Sequence, residues 1–227
     1  MSQKLQLCGL SARRGGVSVI NDLSATVEEG HALLIRGANG AGKSTLLRVM
    51  AGLLPAITGT CFLHDSQTGE SLPLSLVSHY LGHLDGMNRT LTVRDNLSFW
   101  RDFLKSEDRD IRGVEPGMAI EAAAEAVGLG MVLDLPFGYL SQGQKRRIAF
   151  ARLLVVRRPV WLLDEPTTAL DSAARGMLTG LMAVHLGCGG MIVAATHEPL
   201  ALAPAAMLEL VRPAADEDDP FLAGLEI

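Results

Sequence analysis

Three stretches carry residues whose types and order suit nucleotide chemistry. Gly37-Ala38-Asn39-Gly40-Ala41-Gly42-Lys43-Ser44 is a complete G-x-x-x-x-G-K-[ST] phosphate loop. Glycines in such a loop let the chain curl until backbone N–H groups face phosphate oxygens, and the helix that follows adds the positive end of its dipole. Lys43 suits the β and γ phosphates of ATP as a point charge. The Ser44 hydroxyl suits Mg²⁺, which takes few protein oxygens, and Thr45 is a lesser polar neighbour. In the second stretch, the apolar run 159–163 delivers Asp164 and Glu165 together: Asp164 to hold Mg²⁺, directly or through water, and Glu165 to polarise an attacking water as general base. In the third, Leu140-Ser141-Gln142-Gly143-Gln144, a serine precedes a helical stretch. Its side chain and the first free N–H groups of that helix form a second anion site.

These residues need elements to aim them. Ala32-Leu33-Leu34-Ile35 reads as the strand before the phosphate loop, and 45–50 reads as the helix after it. The run 159–163 has the continuous apolar character of a buried parallel strand, whose carboxyl end is where open α/β sheets bind ligands. Residues 4–36 read as short strands of an antiparallel sheet, with Leu5 and Leu7, then Leu23, Ala25 and Val27, alternating with polar neighbours. From about 92 to 156 the pattern is helical. Thr92 with Asp95 predicts a capping box, 119–127 a helix ended by Gly128, and 143–156 a further helix. The expected organisation is one domain: an antiparallel part at 4–36, a nucleotide-binding core at 37–90 and 157–212, a helical and signature part at 91–156, and a solvated acidic tail at 213–227.

Composition narrows the class. A chain of 227 residues, 48% of them hydrophobic, can bury a full α/β core, yet no stretch approaches the roughly 18 consecutive apolar residues of a membrane span. The amino-terminal residues do not read as a secretory signal. Cys8, Cys61 and Cys188 are widely spaced and lack C-x-x-C geometry, which fits reduced thiols rather than a structural zinc. A formal charge of −5 argues against a general nucleic-acid partner, whose binding depends on neutralising phosphates.

Taken together the three stretches resemble the ATP-binding cassette (ABC) family, with Leu140-Ser141-Gln142-Gly143-Gln144 close to its L-S-G-G-Q signature and Gln142 in place of the first glycine. The resemblance implies an α/β P-loop cassette with a mixed core sheet, an antiparallel β subdomain and a small helical subdomain. It also implies that the chain works as a head-to-tail pair, with ATP held between the phosphate loop of one copy and Ser141, Gly143 and Gln144 of the other. Asp171, in Ala169-Leu170-Asp171, falls where the family has its D-loop and communicates across that pair; His197, after the strand 191–196, falls where the family's switch histidine meets the γ-phosphate.

Two positions depart from the family pattern. Counting back from Leu91 places His83 where the Q-loop glutamine belongs. Neutral imidazole can still accept a hydrogen bond from a metal-bound water, and this predicts pH-sensitive coupling. Spacing places Arg14 where an aromatic side chain normally stacks on adenine; a guanidinium can stack on a purine with a weaker base contact.

Only 103 positions separate Gly37 from Leu140, leaving no room for the long coiled coil of repair and chromosome-organising relatives, and a single set of motifs excludes the two-cassette translation factors. A transporter ATPase remains, with Phe99-Trp100 and 94–97 as candidates for contact with a membrane subunit. Around 80–88 and 91–100 the chain is similar to the cytochrome c maturation branch, the haem-exporter ATP-binding subunits. That resemblance implies a peripheral protein at the cytoplasmic face of the bacterial inner membrane. Its partners would be a CcmB-like permease with CcmC, CcmD and CcmE-like haem-handling proteins. An exporter of another substrate and a soluble P-loop NTPase are the alternatives. None of the six histidines sits in a haem motif such as C-x-x-C-H.

Overall fold

The computed structural model describes residues 3–104, 114–168, 170–198 and 200–211; Ala169 and the acidic tail expected at 213–227 lie outside them. In chain order the strands are β1 (Gln3–Arg14), β2 (Val17–Glu28), β3 (Ala32–Arg36), β4 (Thr58–Asp65), β5 (Ser71–Pro73), β6 (Ser78–Leu81), β7 (Glu115–Pro116), β8 (Val156–Arg157), β9 (Val160–Asp164), β10 (Met191–Ala195) and β11 (Ala205–Glu209). The helices are α1 (Lys43–Met50), α2 (Leu74–Val77), α3 (Val93–Leu104), α4 (Ile120–Ala126), α5 (Gln142–Leu154) and α6 (Ser172–Gly187).

The mixture of parallel and antiparallel strands expected of the fold is divided between two main sheets. A five-stranded sheet, β11-β3-β10-β9-β6, is parallel at every pairing. A four-stranded sheet, β2-β1-β4-β5, is antiparallel throughout. This division moves two boundaries relative to the sequence reading. β3 leaves the 4–36 group because it feeds the phosphate loop and pairs with β10 and β11, while β4 and β5, inside 37–90, pair against β1 and enlarge the antiparallel sheet.

Side-chain alternation explains why the parallel sheet is buried on both faces. Along β9, Val160 and Leu162 join one core with Leu46, Leu47 and Met50 of α1 and Leu5 and Leu7 of β1. Trp161 and Leu163 join the other, with Ile148 and Ala149 of α5 and Leu178 and Met182 of α6. Residues two apart on a strand share a face, so continuous apolar runs are required here where an alternating strand would place polar groups inside a core. Truncating Leu162, fully buried in this layer, to alanine would cost about 2–5 kcal/mol.

β1 does not keep one alternation. Leu5 and Leu7 are buried at its start and Leu10 and Ala12 at its end, and the phase change coincides with a register shift against both neighbours. Between the pairs Leu7↔Ala25 and Leu10↔Leu23 the strand carries one residue more than β2, which is a β-bulge.

The helical part packs Val93 and Leu97 of α3, Ile120, Ala123 and Ala124 of α4 and Ile148 of α5 into the second core. At the start of α3 the Asp95 N–H donates to Thr92 Oγ1 at 3.0 Å, and the hydroxyl in turn donates to Asp95 Oδ2 at 2.6 Å, so the cap closes side chain to side chain. Buried Asn96 pins the preceding loop, accepting from Asn88 N–H at 2.7 Å and donating to Thr92 O at 2.8 Å. α5 stops at Leu154, two residues before the expected end, because Val156 pairs with Pro116 in the β7–β8 ribbon.

Candidate nucleotide site

Strand register assembles the site. Ala195 of β10 pairs with Ile35 of β3 on one side and with Asp164 of β9 on the other, so three neighbouring strands end level with one another. The residues that leave these ends, at 37–42, Glu165 and His197, therefore converge at one carboxyl edge.

The phosphate loop spans the gap from β3 to α1. Gly42 caps α1 at φ +102°, a backbone that side chains rarely adopt, and a Cβ at Gly37 would come 2.2 Å from Leu210 O. Lys43 is buried, and its ammonium donates to Gly37 O at 2.7 Å and Ala38 O at 3.0 Å. Ala41 is buried beneath the loop, its N–H donating to Ala38 O at 3.1 Å.

Asp164 ends β9 at 1% exposure, with Oδ2 buried and without a hydrogen-bond partner. A bare buried carboxylate oxygen is costly unless a cation or donor meets it. His83 Nε2 lies 3.8 Å from that oxygen, a separation suited to a bridging water or ion. The donors around this point are hard oxygens and one imidazole, a set that fits Mg²⁺ completed by phosphate and water oxygens. Among the described residues no cluster of three or more His, Cys, Asp or Glu forms a self-sufficient metal cage.

Glu165 has φ +48°, the left-handed region that costs a residue with a side chain about 1–3 kcal/mol. Both flanking peptide groups are held: its N–H donates to Ala195 O at 2.9 Å, and its carbonyl accepts from Arg146 Nη2 at 2.8 Å. The carboxylate stands 3.7 Å from His197 Nε2. Thr196, buried beside it, shapes the turn under His197 by accepting from Glu198 N–H and donating to Glu198 O.

A cavity of about 490 Å³ joins these groups. Of the sequence-derived site residues, Arg14, Asn39, Gly40, Gly42, Lys43, Ser44, Thr45, His83, Asp164, Glu165 and His197 line it. Gly37, Ala38 and Ala41 shape the loop from behind without lining the cavity. Val19, Thr168 and Glu198 line it as well, and no motif pointed to them.

Ser141, Gly143, Gln144 and Asp171 are not among the lining residues. Ser141 and Gln144 form a reciprocal capping box on α5: the Gln144 N–H donates to Ser141 Oγ at 3.2 Å and the Ser141 N–H to Gln144 Oε1 at 2.8 Å. The hydroxyl thus already accepts one donor of the first turn, which narrows the expected anion site to the N–H groups left over and the outer side of Ser141. Asp171 caps α6, accepting from Ala174 N–H at 2.8 Å.

Sequence reasoning also missed two buried arginines of α5. Arg146 donates only to backbone carbonyls; Arg152 donates to Tyr80 O and Asp85 O, with its guanidinium 4.4 Å over the Trp100 ring. Burial pushes both pKa values down, that of Arg152 to about 10, and burial likewise pushes the neighbouring Asp85 carboxyl up.

Comparison with known proteins identifies the family. The family model described as ABC transporter matches residues 20–168. The cytochrome c biogenesis ATP-binding export protein CcmA of Rhizobium meliloti (strain 1021) is 52% identical, over 91% of this chain and 97% of that protein. The proteins of the same name in Chelativorans sp. (strain BNC1) and Nitrobacter winogradskyi are 52% and 48% identical over 85% and 86% of this chain, and 91% and 92% of their own lengths. Among solved structures, a putative ABC transporter ATP-binding protein from Pyrococcus furiosus superposes with a TM-score of 0.74 at 22% identity, covering 92% of this chain and all of that one. The ATP-binding subunit of another ABC transporter gives 0.75 at 20% identity, over 93% of this chain and 89% of its own. At these identities the two structures speak for the fold, and the family match and the CcmA relatives carry the assignment: the chain belongs to the ABC transporter family, as an ATP-binding, ATP-hydrolysing cassette of the cytochrome c biogenesis export type.

Proposed function

We propose that this chain is the motor subunit of a CcmAB-type export complex, using ATP to drive haem export or release of a haem-loaded chaperone during c-type cytochrome biogenesis. The observation that carries the reading is the level ending of β3, β10 and β9, which sets Lys43, Asp164, Glu165 and His197 around one cavity in a chain about half identical to CcmA proteins.

Lys43 gives up its loop carbonyls for the β and γ phosphates of ATP, while loop N–H groups and α1 complete the anion cradle. Arg14 lies against the base. Ser44 and Asp164 would hold Mg²⁺, with His83 reaching it through water; the ion supplies charge neutralisation on the phosphates. Glu165 orients the attacking water and takes its proton, and His197 contacts the γ-phosphate. A second copy closes the site with Ser141, Gly143 and Gln144 at the free end of its α5, and Asp171 lies at the seam.

Work passes to a CcmB-like membrane permease, assembled with CcmC, CcmD and a CcmE-like chaperone at the cytoplasmic face of the inner membrane. The exposed surface of α3 supports such a contact. Phe99 and Phe103 stack outward with ring centroids 5.7 Å apart, whereas Trp100 is tied inward by donating its indole N–H to Gly86 O at 2.7 Å. None of the described helices is long and apolar enough to cross a membrane.

Haem staining of c-type cytochromes in a host whose sole copy carries Lys43→Ala tests the proposal. Loss of c-type cytochromes, with the variant accumulating normally and other haem proteins intact, is expected. Normal c-type cytochromes would remove the haem role and leave an ABC ATPase serving another substrate.

A further inference from the structure

Arg146 occupies an unusual position for a charged side chain. It sits on the first turns of α5, is buried, and spends its donors on four backbone carbonyls. Nη1 donates to Gly82 O at 2.7 Å, Nη2 to Asp164 O at 2.9 Å and Glu165 O at 2.8 Å, and Nε to Pro166 O at 3.2 Å. The nearest carboxylate contact is Asp85 Oδ1, 3.9 Å from Nη1.

Each acceptor belongs to a segment at the nucleotide edge. Gly82 precedes His83 on the exit from β6, and 164–166 is the exit from β9. One flat guanidinium therefore fastens the helix that begins at Ser141 to both segments. The carbonyl of Glu165 is among those fastened, and among the described residues of this edge Glu165 alone carries a side chain on a left-handed backbone.

We propose that Arg146 is a positioning residue for hydrolysis: by gripping the carbonyls of residues 82 and 164–166 it holds the Glu165 peptide in its strained conformation and links that conformation to the orientation of the signature helix. This rests on the reading of Glu165 as general base. Geometry makes the demand specific. Arginine presents five donors in a rigid fork, whereas lysine offers a compact point charge with rotatable donors and cannot bridge β6 and β9 in one plane. Moving α5 moves the fork, and the fork moves the base.

The test measures ATP binding and single-turnover hydrolysis by the full-length chain in its complex, comparing Arg146→Lys, Arg146→Gln and Glu165→Gln. Arg146→Lys retains the buried charge and is expected to bind ATP within about twofold of wild type while hydrolysis slows by roughly 100-fold, the scale of a misplacement of about 1 Å in a reacting group. Arg146→Gln retains two planar donors without the charge and should show the same separation of binding from turnover. Adding Arg146→Lys to Glu165→Gln should cause no further slowing, since both act through one group.

Wild-type turnover in either Arg146 variant would overturn the proposal. So would a loss of binding in step with turnover, or a multiplicative loss in the double variant. Full turnover in Glu165→Gln would instead remove the general-base reading, whereas full turnover in Arg146→Lys beside an inactive Glu165→Gln would remove the positioning role alone.

Discussion

At the carboxyl edge of the parallel sheet, Lys43 and Asp164 are buried, Glu165 is fastened through both of its peptide groups, and the lining residues come from strands, from the turns that leave them and from the first turn of α1. At the start of α5 and of α6, by contrast, Ser141 and Asp171 are exposed and satisfied locally by their own helices. The first region is shaped by the whole core, so its geometry exists before any partner arrives. The second is shaped by a single helix turn each and lies outside the lining of its own chain's cavity. Under the proposed function, one copy would carry a pre-formed half-site together with a free-standing complement for another copy's half-site.

Mixing variants gives the harshest test of that contrast. Lys43→Ala disables the pre-formed region and Ser141→Arg blocks the free-standing one, so each purified alone should lose nearly all ATP turnover. Combined, they form a mixed pair in which one composite site retains an intact Lys43 and an intact Ser141, and turnover should return to a measurable fraction of wild type. No recovery on mixing, with both variants folded, would mean that the two regions do not meet in trans.

A smaller effect probes the core beneath the pre-formed region. His79 on β6 is fully enclosed, its Nε2 lies 2.8 Å from Val156 O, and burial pushes its pKa down to about 3. The unfolded chain gains a proton below about pH 6.5 that the folded chain refuses, so stability falls as pH drops from about 6.5 toward 3, by about 1.4 kcal/mol per unit. His185, pushed down to about 4 by burial, adds to the same slope. Thermal melts at pH 7 and pH 5 should show a marked drop for wild type and a shallower one for His79→Gln, which retains a donor for Val156 O and does not charge. Equal slopes would show that His79 does not titrate in this way.

The smallest effect belongs to the free-standing region. Asp171→Ala removes the side-chain acceptor for Ala174 N–H and should lower stability by about 1 kcal/mol, the ordinary worth of a helix cap. Asp171→Asn retains the cap and should melt like wild type. If Asp171→Asn nonetheless slows turnover, the carboxylate serves a role beyond its own helix; if it does not, the residue is a cap.

The phosphate loop and the pair Asp164 and Glu165 were legible in the sequence because backbone curvature and strand burial each impose local patterns that glycine spacing and an apolar run record. Arg146 was not, because its acceptors are carbonyls, which every residue has, at positions 18 to 64 residues away. The placement of β4 in the antiparallel sheet was hidden for a related reason. Its pairing with β1 is a long-range choice, made where a Cβ on Gly59 would collide with Gly9 O at 2.4 Å, and neither glycine announces the other. Phe99 and Trp100 looked equivalent in the sequence. The structure separates them by a bond, from the Trp100 indole to Gly86 O, and by the Arg152 guanidinium on the Trp100 ring.

The bulge in β1 also fixes where this protein can change length. Leu5 and Leu7 before it and Leu10 and Ala12 after it are buried in one core, and Arg14, two residues past Ala12, reaches the nucleotide cavity. Deletion of either Cys8 or Gly9 would straighten the strand and leave all four apolar side chains facing inward, because the extra residue between Leu7 and Leu10 is what interrupts the alternation. The same deletion at Gln6 or Ser11 would turn half of the strand inside out. Insertions and deletions in descendants of this chain should therefore collect at the bulge, and each would draw Arg14 one residue step along the strand, resetting its reach into the nucleotide cavity without disturbing the phosphate loop.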